Sequence, residues 1–509
     1  MQGERCKFHL FLQYFYRWSC DLLGGLPATL IALLTLAAGS SAQTATPSTA
    51  SPFGTTSTNI QGLNVNLGAL QSNQSPFQGS IPTGQVQPGV IELSLRDAID
   101  RALKYNLGLY ESDQERDAAR AARLKNLGDL LPNIAAHTSE TVQQISLVAL
   151  GLPPTSGFPP IVGPFSVFDV RATMTAPLFD LQAINKVRSG TVNQRASQLD
   201  YSNSRELTVV AVGIAYVQAL AAGARVDAVQ AQLRTAETLY RLASDQKSAG
   251  VAPAIDVLRA QVEMQSQQQR LVAARNDFDK QKLQLARVIG LPTGQQFTLT
   301  EKIPYQPLPP VTLEDALTRA YNDRPDYAAA KARLRAAQLT REAATGERIP
   351  SLHFNADYGD IGRTPGNSHG TFSTAASLEV PIFQGGRIKG DIVEADAALR
   401  QREAEAADLR GRIEYEVRAA FLDLQATADQ LKVAQSTLGL SQETLVQAQD
   451  RFRAGVTNNI EVVQAQESVA TSNESLISSE LEFNLAKLAL ARSLGTAERA
   501  TKEYLGGKP

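Results

Sequence analysis

Two acidic residues occupy equivalent places in a segment that the chain carries twice. Residues 249–261 read AGVAPAIDVLRAQ and residues 454–466 read AGVTNNIEVVQAQ, so that seven positions are identical and Asp256 corresponds to Glu461. Each acid stands just inside a predicted helix, where the helix dipole stabilises a carboxylate by about 0.3–1 kcal/mol. The pattern allows an acidic functional site at two helix starts, and a purely structural role beside the dipole explains it as well.

The other chemistry-bearing residues do not form a recognisable catalytic set. Residues 366–370 match G-x-S-x-G, but that motif needs a strand before it and a helix after it, and here a proline-flanked loop leads into a predicted strand. His137 and His353 stand singly in predicted strands, and no phosphate-loop, dinucleotide, C-x-x-C or H-E-x-x-H pattern occurs. We therefore predict no enzyme activity, no cofactor and no metal site; a hydrolase using Ser368 is the least favoured alternative.

A sharp helical hairpin must position each acid. Gly250 and Gly455 end two long helical patterns and suit the left-handed conformation that follows a helix. Pro253 fits the first position of the next helix, because the N–H that proline lacks is unpaired there in any case. The hairpin tips are therefore predicted at residues 249–256 and 454–461.

Long helices flank both tips. From Gln182 to Ala249 there is no proline and apolar residues recur at helical spacing, which at about 1.5 Å per residue gives on the order of 100 Å. The counterpart runs from about Arg387 to Ala454, and a helix of roughly 35–40 residues returns from each tip. The Ala, Gln and Leu content suits coiled-coil packing, in which small side chains allow close approach.

A shorter helical motif is repeated at an offset of 218 residues. Residues 94–103 read SLRDAIDRAL and residues 312–321 read TLEDALTRAY, each with Ser or Thr at the N-cap and an acid three positions later. Each motif leads into a charged, Ala-rich helix that stops at a proline, Pro132 or Pro350. The chain is therefore predicted to contain two copies of one structural unit.

After each of these prolines the period of the apolar residues changes from 3.6 to 2, as in two-faced strands. The predicted strands cover residues ~133–146, ~166–178, ~351–360 and ~371–382. Gly/Pro-rich loops around 147–165 and 359–371 separate the strands of each pair, and Pro177 and Pro381 are expected to end the second strand of each.

Four amphipathic strands cannot close a membrane barrel. Known spanning barrels begin at about eight strands, and open sheet edges do not survive in lipid. The chain must therefore borrow strands from identical neighbours; three copies would supply twelve. A soluble sandwich would bury the apolar faces without association, but it would not explain strand pairs placed between helices far too long for a globule.

The composition and the N-terminal region indicate export. The net charge of the 509 residues is −2 and no Lys/Arg cluster stands out, so a nucleic-acid partner is not expected. Within residues 1–42, basic residues precede an apolar run and small residues follow it, which predicts a signal peptide cleaved after Ala42. A retained membrane anchor and a start downstream of Met1 are alternatives. Cys6 and Cys20 precede the cleavage point, so the mature chain would contain no cysteine.

Taken together, the repeated tips, the helix–strand–strand–helix order and the L-A-R-x-x-G ends at Gly290 and Gly495 resemble the TolC family of outer membrane efflux proteins over residues 91–496. The resemblance implies a homotrimer with a 12-stranded outer-membrane β-barrel and a long periplasmic α-helical tunnel. It implies as partners a periplasmic adaptor protein, an inner-membrane pump and outer-membrane lipid. The location would be the outer membrane and periplasm of a Gram-negative-type bacterium.

The resemblance also implies roles for the tip residues. Glu461 and Asp256 fall on the acids that narrow the periplasmic entrance, and neutralising such crowded charges should loosen it. The family's second acid and its basic loop residue are replaced here by Gln464 and Thr457. Arg259 is therefore a candidate for part of the pairing.

Four further tip residues match those that adaptor hairpins contact in the family: Gly250, Val251, Gly455 and Val456. Glycines that only turn the chain and valines that only pack would explain the same residues.

The fold expected is mainly α with a small membrane β part, made of a duplicated helix–strand–strand–helix unit. The predicted division is a signal peptide at 1–42, a flexible extension at 43–90, repeats at 91–300 and 301–497, and a tail at 498–509. The function expected is a passive outer-membrane channel of a tripartite efflux or type I secretion system. The alternative is a trimeric coiled-coil structural or adhesin-like surface protein anchored by a β-barrel.

Overall fold

A computed structural model of the chain describes residues 75–82, 86, 88–151, 159–251, 253–301, 311–454, 456–457 and 459–504. All of them belong to one compact unit, Ile60–Pro509. The predicted signal peptide, most of the predicted extension and residues 505–509 of the predicted tail lie outside the described residues. The helices and strands, in chain order, are β1 (Ile91–Leu93), α1 (Leu95–Tyr105), α2 (Leu107–Gly128), β2 (Asn133–Ser146), β3 (Ile161–Phe179), α3 (Leu181–Ser248), α4 (Ala254–Ile289), β4 (Phe297–Leu299), α5 (Leu313–Asp323), α6 (Pro325–Gly346), β5 (Ser351–Gly362), β6 (Ser368–Glu379), α7 (Arg387–Arg453), α8 (Asn459–Leu494) and α9 (Ala497–Tyr504).

The duplication is visible in the order and lengths of these elements. Helices α1 and α2 recur as α5 and α6 with identical lengths, and α4 recurs as α8. The N-caps are also equivalent, because the Ser94 hydroxyl accepts from the Asp97 N–H at 3.1 Å and the Thr312 hydroxyl accepts from the Asp315 N–H at 3.3 Å. Each cap satisfies a backbone donor that has no partner inside its helix.

The four long strands form one antiparallel sheet in the order β2-β3-β5-β6. Its register places Ala136, Ala172, Tyr358 and Phe372 in one row across the sheet and Ala135, Thr173, Asp357 and Ser373 in the next. Because successive residues of a strand point to opposite faces, one face of the sheet is mainly apolar and the other mainly polar.

The loop that connects the two strands of each pair is shorter than the predicted loops around 147–165 and 359–371. Strand β3 begins at Ile161 and includes Pro164 and Pro177, and β5 and β6 are separated only by residues 363–367. The register shifts between Gln143 and Ile145, opposite Pro164, and again beside Pro177. Prolines are tolerated at such irregularities, which is why the expectation that Pro177 ends its strand was wrong.

The four longest helices form two hairpins. Helix α3 packs against α4, α7 packs against α8, and the hairpins join through α3 and α8, which gives the order α4-α3-α8-α7. Helices α3 and α7 have 68 and 67 residues, so each is about 100 Å long at 1.5 Å per residue.

The main core lies where α3 and α8 meet the short helices. Residues 208–217 of α3 are all buried, and most of 481–494 in α8 are buried with them. Helix α3 is the one described helix long and apolar enough to cross a membrane, but its apolar stretch is mostly buried inside the protein. Residues 209–222 therefore belong to the core of the protein.

Candidate functional site

The first tip is a tight turn between α3 and α4. Gly250 adopts a φ of 73°, and the Val251 N–H donates to the Gln246 carbonyl at 2.9 Å, which together form a Schellman motif. Pro253 is the N-cap and α4 begins one residue later, so the expectation that Pro253 is the first helical residue was wrong by one position. Its extended ψ of 151° places it outside the helix.

The second tip turns in a similar way. The Val456 N–H donates to the Arg451 carbonyl at 3.0 Å, five residues back, as the Val251 N–H does at the first tip. Gly455 lies outside the described residues. Val251 and Val456 are 77% and 71% exposed, so both tips present an apolar side chain to solvent.

Glu461 is held by residues of its own hairpin. Its carboxylate lies 3.0 Å from Arg451 Nη1, at the end of α7, and accepts a hydrogen bond from the Thr457 hydroxyl. The pair is half-exposed, so solvent screens the attraction. Arg451 was missed in the sequence, because a basic residue in the last turn of a helix suits the helix dipole and needs no partner.

Asp256 has a different environment, although it is the equivalent residue of the first tip. Its side chain is nearly buried, and its closest cation is Arg259 of the same helix, with 3.6 Å between Nη1 and Oδ1. Arg259 itself is exposed, as is Gln464 on α8. The two tip acids are therefore not equivalent in structure. The Asp256 side chain is nearly buried, whereas the Glu461 side chain is partly exposed to solvent.

One hydrogen bond joins the two tips. The Asn459 Nδ2 group, at the start of α8, donates to the main-chain carbonyl of Asp256 at 3.1 Å. Asn459 is fully buried. No sequence signal indicated this role, since Ala254 occupies the equivalent place in the first repeat. A small apolar cluster supports the tips from α3, α7 and α8: Leu239, Ala448, Phe452, Val462 and Ala465.

At the opposite end of α8 a buried charge network joins three helices. Arg324 is 2% exposed and pairs with Asp326 at 2.7 Å and Glu416 at 2.5 Å, and Arg492 lies 3.4 Å from Asp326. Burial alone would raise the pKa of Asp326, but the hydrogen bonds and charge of Arg324 outweigh it and lower that pKa. The network ties α6 and α7 to the C-terminal end of α8.

The polar face of the sheet carries a smaller charge cluster. Arg171 on β3 donates to both carboxylate oxygens of Asp169, at 2.9 and 3.0 Å, and to Asp357 on β5 at 3.0 Å. His137 lies opposite Arg171 on β2 and shares this face. On β5 of the same face, the Ser351 hydroxyl and His353 Nε2 are 3.0 Å apart.

Ser368 does not have the geometry of a hydrolase nucleophile. It opens β6 after a short turn, and its hydroxyl donates to the Pro365 carbonyl at 3.1 Å. A nucleophile elbow instead places the serine between a strand and a helix. The G-x-S-x-G match is a hairpin turn.

These features define a chain with two helical hairpins, two tips and one amphipathic sheet, and comparison with known proteins identifies its family. A model of the outer membrane efflux protein family matches residues 98–291 and 316–496, one match in each repeat. The chain belongs to the outer membrane efflux protein family, which confirms the resemblance and the outer-membrane location inferred from the sequence.

Individual relatives agree with this assignment. The antibiotic efflux pump outer membrane protein ArpC of Pseudomonas putida is 26% identical over 420 residues, covering 79% of this chain and 83% of that protein. The alkaline protease secretion protein AprF of Pseudomonas aeruginosa is 21% identical over 342 residues, covering 65% and 70%. The crystal structure of VceC from Vibrio cholerae has the same fold, with a TM-score of 0.68 at 19% identity, covering 79% of this chain and 96% of that one. The family favours an efflux or secretion channel over an adhesin-like surface protein.

Proposed function

We propose that the chain is one third of a passive trimeric conduit, the outer-membrane channel of a tripartite efflux or type I secretion system. The observation that carries the proposal is that both layers of the structure end in open edges. Helices α4 and α7 flank the helical order, and strands β2 and β6 flank the sheet. Joining identical chains edge to edge closes both layers at once.

The sheet supports a position in the bilayer. Its strands have 12 to 19 residues, enough for the 9–11 that a tilted membrane strand needs. Its apolar face includes Ile134, Tyr358 and Phe372, all well exposed in the single chain. Three sheets would give a 12-stranded barrel with this face toward lipid and the Arg171 cluster toward the lumen, as in spanning barrels generally.

The edges of the helical layer carry apolar stripes. Helix α7 exposes Tyr415, Leu422, Val433 and Leu440, whose spacings of 7, 11 and 7 residues keep them on one side of the helix. Helix α4 exposes Ile255, Leu258, Val262, Val272 and Leu283 along its length. We infer that α7 of one subunit packs against α4 of the next, as coiled-coil helices do.

The tips supply the periplasmic entrance in this proposal. Three copies of Glu461 stand near the axis, with Asp256, Gln464 and Arg259 around them. Like charges crowded in a constriction attract cations and repel one another. The exposed Val251 and Val456, with Gly250 and Gly455 beside them, form the docking surface for a periplasmic adaptor that recruits an inner-membrane pump.

The relatives' names include antibiotic efflux and alkaline protease secretion, so the family alone does not fix the cargo. The transport energy comes from the partner pump, and the chain itself provides the path.

Deletion and reconstitution together test this function. A deletion strain should become more sensitive to toxic compounds or lose secretion of a protein, and the wild-type gene should restore the phenotype. Purified protein should also form ion-conducting channels in planar bilayers. Unchanged sensitivity and secretion, together with the lack of any conductance, would overturn the proposal.

A further inference from the structure

Asn459 connects the two hairpin tips by a side-chain hydrogen bond. It is the first residue of α8 and is completely buried, and its amide donates to the carbonyl of Asp256 in the first turn of α4 at 3.1 Å. The first repeat has Ala254 at the equivalent position and cannot make the reciprocal bond. The second tip therefore donates a hydrogen bond to the first tip that the first tip cannot return.

The setting makes this bond difficult to replace. The carbonyl of Asp256 and the amide of Asn459 are both shielded from solvent, so water does not readily substitute for either partner. The Asn459 Oδ1 atom is buried and has no hydrogen-bond partner among the described residues. The hydrogen bond that the Asn459 side chain makes is therefore the one its Nδ2 group donates to the other hairpin.

We propose that Asn459 is a positioning residue of the entrance: its amide fixes the start of α8 against the start of α4 and so holds Glu461 in the closed constriction. This inference rests on the proposed channel function. Glu461 lies two residues beyond Asn459, in the same first turn, so a shift of that turn moves its carboxylate directly.

The Asn459–Asp256 hydrogen bond and the Arg451–Glu461 ion pair should respond differently to salt. The Arg451–Glu461 pair is half-exposed and weakens as ions screen it. The Asn459 bond is buried and neutral, so its contribution does not change with ionic strength. Two acids lie next to this bond: Asp256, which accepts it and pairs with Arg259 on α4, and Glu461, two residues after Asn459, which pairs with Arg451 on α7.

Two substitutions distinguish a role of the Asn459 hydrogen bond from a role of the Asn459 side chain in packing alone. Asn459→Ala removes the donor and should raise the single-channel conductance in planar bilayers several-fold at both low and high salt. Asn459→Asp keeps the shape, but an ionised carboxylate cannot donate, so this channel should also be open at about pH 8. Burial raises the pKa of such a carboxyl group, and on acidification to about pH 5 the protonated group can donate again. The Asp variant should then return toward wild-type conductance, whereas the Ala variant should stay open.

Asn484 provides a matched control. It is a buried asparagine of the same helix, and its amide donates within that helix, to the Glu480 carbonyl at 2.8 Å. Asn484→Ala should lower the thermal midpoint of the assembly without raising conductance. Wild-type conductance in Asn459→Ala, or no difference in pH response between the two Asn459 variants, would overturn the proposal. A wild-type protein that forms no channel would instead contradict the proposed function.

Discussion

Glu461 is held by the guanidinium of Arg451 on α7, the other helix of its hairpin, while Asp256 is nearly buried beside Arg259. Half-exposed ion pairs contribute only about 0–1 kcal/mol. In the proposed channel, a contact of that strength would keep the entrance narrow, and a docking partner would be able to break it. At the residue scale, the two tips are therefore held by several weak contacts that involve α4, α7 and α8.

Arg451→Ala should release Glu461 and raise conductance in planar bilayers. The effect should shrink as salt increases, because ions already screen the pair in the wild type. Glu461→Ala should raise conductance as well, and the double variant should show less than the sum of both effects. Arg453→Ala is the control, since Arg453 pairs with Asp450 inside its own helix at 3.2 Å. Equal effects of the Arg451 and Arg453 variants would leave Glu461 as a partner of the helix dipole only.

Asp326 should make stability sensitive to acid. Its folded-state pKa is lowered chiefly by Arg324, against the opposing effect of burial, so its contribution is present above the ordinary carboxyl pKa and is lost as the pH falls through the lowered value. Asp326→Asn should destabilise the protein by about 3–5 kcal/mol at neutral pH, because the buried Arg324 and the largely buried Arg492 lose a charged partner. The difference from wild type should narrow in acid. Thermal melts across pH measure this, with the exposed Asp429→Asn as control; equal losses in both variants would contradict it.

At the scale of elements, each edge requires a partner that the single chain does not supply. Strands β2 and β6 have neighbours on one side, and α4 and α7 expose apolar stripes on the sides away from the chain's own helices. Unpaired strand edges are costly in lipid and apolar helix stripes are costly in water. The proposed association of identical chains would remove both costs.

Leu422→Glu should weaken the subunit assembly. Leu422 is 67% exposed in the single chain, in the middle of the α7 stripe, and a charge there would be buried against the neighbouring subunit. Chemical crosslinking or native mass spectrometry should show monomers in place of trimers. Gln435→Glu, at an exposed position on another side of α7, should leave the assembly intact. Intact trimers in the Leu422 variant would place the subunit interface elsewhere.

The two faces of β6 should respond oppositely to a charge. Ala376 lies opposite Phe354 on the apolar face, and Ala375 lies opposite Asn355 on the polar face. Arginine on a lipid-facing site costs about 2–4 kcal/mol at the bilayer midplane and less near the surfaces. Ala376→Arg should therefore reduce the amount of assembled protein in outer-membrane fractions, and Ala375→Arg should not. The reverse order would mean that the barrel faces are assigned the wrong way round.

For the whole molecule, the sequence predicted those features that depend on a local pattern, namely the spacing of apolar residues or an N-cap. The change of period after Pro132 and Pro350 predicted the order of helices and strands, and Ser94 and Thr312 are the N-caps that their spacing indicated. The strand limits near Pro164 and Pro177 were misjudged, because β3 has extra, unpaired residues beside each proline, and these irregularities depend on the register with the neighbouring strands.

The tip contacts could not be predicted from the sequence for a different reason. Asn459 meets Asp256 and Arg451 meets Glu461 only because separate helices end at the same place. Their counterparts in the first repeat are Ala254 and Gln246, so the duplication gave no guide to either contact. The repeats preserve the backbone of the tip while the side chains that join the tips are different in each.

The association of three chains around a common channel is tested most directly by electron microscopy of the detergent-extracted full-length protein. Averaged images should show hollow particles with three-fold symmetry, formed by a short barrel and a much longer helical tube. Particles of single chains without a central channel, or a compact form that stays in solution without detergent, would contradict the account.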